Sequence, residues 1–290
     1  MKFADPKNDF AFKKIFGNEQ YKNILISFLN AVLDFQNEKS IVDVSLANPY
    51  QIPKIPDLKE TILDIKATNQ KGETFIVEMQ KKDIGDFAKR SLFYTSKAYV
   101  SQLPKGNDYA TLKKVYFIGI LNFEMFENKN YISRHLIINQ ETKMQDLKDF
   151  EFNFIELSKF HKKLDELETL LDKWIYFLKY AGDLTLIPKE YADIREFQEA
   201  FLIATQTMWD KEEIEVYDYV SLKEIDDMNA LKTATKKGFE KGRQEGMVQG
   251  KKEGEKQKAI EIAKNLLDVL DDEMIALKTG LDKEEVRHLR

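Results

Sequence analysis

Asp64 and Glu78 are the residues whose type and spacing promise chemistry. They stand in two runs, 61–68 (TILDIKAT) and 73–80 (ETFIVEMQ), that alternate as strands do. Alternate residues of a strand face opposite sides, so Ile62, Asp64 and Lys66 share one face and Leu63, Ile65 and Ala67 the other. On the second run Ile76, Glu78 and Gln80 share a face, and Phe75, Val77 and Met79 lie behind them. A three-residue loop, Gln70-Lys71-Gly72 with glycine in the left-handed position, pairs Asn69 with Glu73. That register sets Asp64 opposite Glu78 and Lys66 opposite Ile76, with opposed Cβ atoms roughly 4.5–5.5 Å apart. A two-residue loop would send the carboxylates to opposite faces, and the placement of Gly72 favours the first register.

Two carboxylates at that distance on a half-buried sheet repel each other and raise a pKa unless a cation lies between them. Mg²⁺, with Mn²⁺ as a substitute, is a natural partner because it takes oxygen ligands and commonly uses one or two carboxylates plus substrate phosphates. Such an ion lowers the pKa of a bound water and stabilises charge at phosphorus. Gln80, on the same face, can orient that water or hold a phosphate oxygen. The competing reading is a solvated sheet face. Ile62 and Ile76 beside the acids argue instead for a covering helix, under which unpaired acids are costly.

The elements that must position these residues are also legible. Residues 8–34 repeat apolar side chains at helical spacing, with a break near Gly17 and Asn8 or Asp9 as cap. Pro49, Pro53 and Pro56 predict extended chain and loops over 40–60. Residues 84–103 read as a helix with Phe87, Leu92, Phe93, Ala98 and Val100 as core candidates. Strands follow at 115–121, 131–138 and 150–157. Beyond about residue 160 only helical patterns remain, at 164–180, 189–207, 210–230 and 259–290, the last with a second short helix after Gly280. Between them, glycine recurs at 238, 242, 246, 250 and 254.

The 290 residues, 43% hydrophobic and 33% charged, suit a globular protein with a substantial core. Cysteine is absent, which excludes disulfides, thiolate metal sites and a cysteine nucleophile. Three scattered histidines (His135, His161, His288) make a zinc site or a Ser-His-Asp triad a poor expectation. The opening MKFADPKNDFAFKK shows no targeting pattern, and no apolar run nears the ~20 residues that span a bilayer, so a cytoplasmic location without membrane contact is expected. Net charge is −5, yet residues 236–258 hold eight basic against four acidic side chains, which keeps nucleic acid open as a partner.

Asp64, a hairpin, then Glu78-Met79-Gln80 resembles the core of PD-(D/E)XK nucleases, with glutamine where lysine is usual. More narrowly, the chain resembles the Rpn family of recombination-promoting nucleases, also described as PD-(D/E)XK transposase-like proteins. The stretches that carry the likeness are DFAFKKIFG (9–17), LNAVL (29–33), DIKA (64–67) and EMQ (78–80). Arg90 with Tyr94, then Gly106 and Tyr109, continue it. The resemblance implies an α/β nuclease-like core, a mixed sheet flanked by helices, followed by an all-helical C-terminal region. The expected division is a nuclease-like domain at 1–160, a helical region at 161–232 and a glycine-spaced basic helical tail at 233–290. It implies Mg²⁺-dependent DNA endonuclease activity in recombination or transposon-related processes, with catalytic Asp64, Glu78 and Gln80, and metal held by Asp64 and Glu78. A noncatalytic nucleic-acid-binding or oligomerising protein on a degenerate nuclease fold is the alternative.

Four accessory residues remain two-sided. Asp9 is a third acid or a helix cap. Lys66 supplies the charge that Gln80 lacks or is a surface lysine near acids. Arg90 and Tyr94, one helical turn apart, hold a phosphate, steady the acids or simply pack beside the hairpin. Asp57 of Pro56-Asp57 spells the superfamily's dipeptide but precedes the strand and reads as a decoy. Phe10, Phe12, Phe16, Tyr99 and Tyr116 read as core rather than base-stacking residues. Each glycine inside a helix costs up to ~1 kcal/mol relative to alanine, so the array at 238–254 expects close contact. Homo-oligomerisation through the C-terminal helices or a basic arm ordering on DNA meets that need, and a flexible linker is the bland reading.

Overall fold

The computed structural model describes residues 2–48, 50–51, 61–83, 85–103, 106 and 108–290. Pro49, Pro53, Pro56, Asp57 and the side chain of Ile62 lie outside the described residues. The chain forms two compact units, Met1–Ser221 and Leu222–Arg290.

In the first unit the N-terminal apolar period yields α1 (Asp9–Phe16) and α2 (Lys22–Leu33), parted at Gly17. Asn8 caps α1, its side chain accepting the N–H groups of Phe10 and Ala11, which leaves the Asp9 carboxylate available elsewhere. Strands β1 (Val44–Leu46), β2 (Tyr50–Gln51), β3 (Thr61–Ile62), β4 (Ile65–Asn69) and β5 (Thr74–Gln80) follow. Next come α3 (Phe87–Ser101), β6 (Val115–Leu121), β7 (Ile132–Leu136), β8 (Phe150–Glu156), α4 (Leu170–Tyr180) and α5 (Arg195–Ala204). The main sheet has the order β1-β4-β5-β6-β8-β7, while β2 and β3 pair separately. Strands β5, β6 and β8 run parallel, and the remaining neighbours are antiparallel.

The hairpin has the register its loop demands. Ile65 pairs with Val77 and Lys66 with Ile76, and Gly72 sits at φ 79° where a side chain would be strained. The run 61–68 is nevertheless not one strand: the chain bends at Leu63-Asp64, and β3 leaves to pair with β2. Leu63 therefore packs with Ile76, Phe87 and Phe117 instead of joining Ile65 and Ala67 on the opposite face.

Each sheet face has its own cover. Phe75, Val77, Met79, Ile118 and Ile120 point toward a core shared by α1, α2, α4 and α5, where Phe12, Phe16 and Phe28 meet Trp174, Phe177 and Phe197. Helices α4 and α5 thus complete one face of the same sheet. The other face is roofed by α3 through Phe87 and Ala98. Leu92, Phe93 and Val100, expected in that core, are 55%, 46% and 70% exposed instead. Ser91 and Thr95 take the inward positions because their hydroxyls donate to the carbonyls of Ala88 and Ser91, so they pack as small apolar groups.

In the second unit the helix that begins at Lys211 in the first, α6 (Lys211–Leu266), carries all five spaced glycines, and a Cβ added at any of them meets nothing within 4 Å. The expected helix over 259–290 ends at Leu266 and resumes as α7 (Asp272–Thr279), and the short helix expected after Gly280 is α8 (Lys283–Arg287). Gly280, at φ 73°, ends α7 by returning its N–H to Ala276 O. Ala263, Ile275, Leu281 and Val286 form a small separate core. Among the described residues no helix is long and apolar enough to cross a membrane.

Candidate active site

The bend at Asp64 builds the site. Asn69 N–H donates to Glu73 O, so hydrogen-bonded pairs recur at 67/75 and 65/77, and the next would join Met79 N–H to Leu63 O. With the chain bent away, Asp64 Oδ2 accepts Met79 N–H at 2.7 Å in its stead. In return Asp64 N–H donates to Glu78 Oε1 at 3.1 Å. Each carboxylate is thus fixed by the other's strand, and the two acids stand together on the face roofed by α3.

Their electrostatics follow from that burial. Desolvation pushes the Asp64 carboxyl up to about 6, against the opposing pull of Lys13 and the Met79 N–H, with the Asp9 carboxylate adding to the rise. Glu78, 3% exposed, is raised well above the carboxylate range by burial and by the charge of Asp64. Tyr94, packed against the cluster of Ile76 and Phe87, is raised by burial and by the charge of Glu78.

Helix α3 begins shortly after β5 ends, so its first turn lies over the strand's end. From there Arg90 Nη2 donates to Gln80 Oε1 at 2.6 Å, while Gln80 Nε2 donates to Met79 O. Arg90 lies over the Phe87 ring, and its buried Nε has no hydrogen-bond partner among the described residues. Gly119, Glu78's neighbour on β6, leaves room for Phe87 and Phe154, since a Cβ there would stand 2.8 Å from the Phe154 ring.

Asp64, Glu78, Gln80, Arg90 and, through Lys13, Asp9 therefore converge, and Tyr94 lies one turn beyond Arg90 on α3. Lys66 does not join them as a counter-charge: burial lowers its ammonium and no acid pairs with it among the described residues. Lys13 takes that place, its Nζ 2.7 Å from Asp9 Oδ1 and 3.6 Å from Asp64 Oδ1. Burial works to lower the Lys13 ammonium, but Asp9 and Asp64 leave it raised overall. Sequence reading missed Lys13, although its position four residues after Asp9 on one helix face was a signal that the two could pair.

The donor set fits a hard cation. It offers carboxylate and amide oxygens and no sulfur or imidazole, and its desolvated acids want positive charge. Among the described residues no three His, Cys, Asp or Glu side chains are grouped as ligands, so water and substrate phosphate would complete a shell started by Asp64 and Glu78. A cleft of about 490 Å³ lined by Phe35, Glu73, Lys114, Tyr116 and Arg134 opens at the opposite end of β5, β6 and β8. Lys114 and Arg134 both pair with Glu151 there, which leaves the buried acid pair as the candidate site.

Neither a curated protein nor a solved structure shows significant similarity to the chain. Residues 6–234, which span the acids, the covering helix and the helices that complete the core, match the profile of the PD-(D/E)XK nuclease family transposases, and the chain belongs to that family.

Proposed function

We propose that the chain is a divalent-metal-dependent endonuclease that hydrolyses DNA phosphodiester bonds, with Asp64 and Glu78 holding the metal and Gln80 as the third catalytic residue. The observation that supports it is the interlocked acid pair: two buried carboxylates tied to each other's strands. When bound, Mg²⁺ or Mn²⁺ supplies Lewis acidity, acidifying a water and offsetting charge that grows on the phosphate. The chain supplies orientation. Asp64 and Glu78 each give one oxygen to a backbone N–H, which locks their rotamers. Arg90 and Met79 O hold the Gln80 amide so that its second N–H can serve a phosphate oxygen or the water. Arg90 also offsets part of the Glu78 charge. Around this centre, residues 1–160 form the nuclease domain, 161–232 the helical region and 233–290 a tail that self-associates, working in the cytoplasm in recombination or transposon-related processes.

The test is nicking of supercoiled plasmid with and without Mg²⁺ or Mn²⁺. Asp64→Ala and Glu78→Ala are expected to abolish nicking while circular dichroism shows the fold intact. Full activity in both variants removes these residues from the mechanism. A neutral Gln80 where a lysine is usual favours a second reading, a noncatalytic nucleic-acid-binding or oligomerising protein on a degenerate fold. DNA binding without cutting in any divalent metal selects that one.

A further inference from the structure

We infer that Lys13 is the catalytic cation of this site, brought by α1 to the scissile phosphate in place of the charge that neutral Gln80 cannot carry. The inference rests on the nuclease reading above. Lys13 Nζ is tethered by Asp9 at 2.7 Å, one helical turn away, and held 3.6 Å from Asp64 Oδ1. Oδ2 of the same carboxylate is the oxygen committed to Met79 N–H. Lys13 therefore marks the edge of Asp64 that its backbone bond leaves open. Its side chain is 38% exposed, so a phosphate arriving from solvent can reach the ammonium.

Two neighbouring cations are otherwise engaged. Arg90 is bound to Gln80 and lies over Phe87. Lys14 pairs with Glu213 and sits over the Trp209 ring. Lys66, opposite Ile76, makes no ion pair with either acid among the described residues, and burial lowers its ammonium. A cation beside Asp64 opposes a dication on the same carboxylate while the site lacks substrate. A phosphate placed between the two positive charges turns that repulsion into shared stabilisation, most strongly as negative charge grows in the transition state.

Two readouts on the full-length protein test this: plasmid nicking at saturating Mg²⁺, and Mn²⁺ binding without DNA. Lys13→Ala is expected to slow nicking about 100-fold, as loss of one charge-stabilising donor does. The same variant is expected to bind Mn²⁺ about three- to tenfold more tightly, because a repelling charge is gone. Lys13→Arg retains more activity than Lys13→Gln, and that comparison decides the matter if the alanine variant does not fold. Nicking within threefold of the parent overturns the inference, and so does weaker Mn²⁺ binding that parallels the lost activity, the mark of a merely structural lysine. If Asp64→Ala is inactive while Lys13→Ala cuts normally, only the role of Lys13 falls. If the parent cuts no DNA in any metal, the nuclease reading falls and this one with it.

Discussion

A carboxylate buried beside another carboxylate is a stability cost that pH can switch off. The Asp64 carboxyl is raised from 3.8 to about 6 in the folded chain, chiefly by desolvation. Between those values the folded state holds the proton more tightly than the unfolded state, so stability falls as pH rises through that window and stays lowered above it. Glu78 moves in the same direction. Asp64→Asn keeps an oxygen for Met79 N–H and removes the charge. In EDTA at pH 8 this variant should be more stable than the parent by about 1–3 kcal/mol, and at pH 4 nearly equal to it. Urea denaturation at both pH values measures the difference, and equal midpoints at pH 8 would show that the acid is not desolvated. The pairing of Asp64 with Glu78 was readable because one glycine, Gly72, decides the loop and the loop decides the register. Lys13 was not readable in the same way: its contact with Asp64 joins a helix to a strand start 51 positions away, and only the packed core sets that distance.

At the scale of elements, pattern succeeds where burial is one-sided and fails where polar groups satisfy themselves. α3 was placed correctly by its period, but its inward face was misread because Ser91 and Thr95 hide their hydroxyls on the helix's own carbonyls. The bend at Leu63-Asp64 likewise left no trace in a run whose alternation continues through it. The glycine array is the opposite case, since its four-residue period is plain but its consequence is not. A Cβ at Gly242, Gly246 or Gly250 meets nothing within the chain, so replacing all three by alanine should add about 2–3 kcal/mol of helix stability. If self-association uses close backbone approach along this track, the same variant should dissociate at concentrations where the parent is assembled. Helical ellipticity on heating and sedimentation equilibrium report the two effects separately. A more stable helix with undiminished assembly would exclude the glycine face as the contact.

For the whole molecule, the informative contrast is between two cores of very different size. The first unit buries aromatic side chains from α1, α2, α4 and α5 against one sheet, so residues 161–204 are bound to the nuclease core energetically, a fact hidden from sequence because every strand signal stops before them. The second unit buries little more than Ala263, Ile275, Leu281 and Val286, helped by surface ion pairs such as Lys283–Glu273 and Arg290–Asp272, each worth at most about 1 kcal/mol. Stability scales with buried apolar area, so the two units should not melt together. Calorimetry is expected to show a minor transition below the main one. Ile275→Ala, at a fully buried position, should cost about 2–5 kcal/mol in the small core and shift only the minor transition, leaving plasmid nicking by the first unit unchanged. A single transition that moves as a whole in this variant would mean that the small core is coupled to the large one, and the acid pair would then depend on residues far along the chain from it.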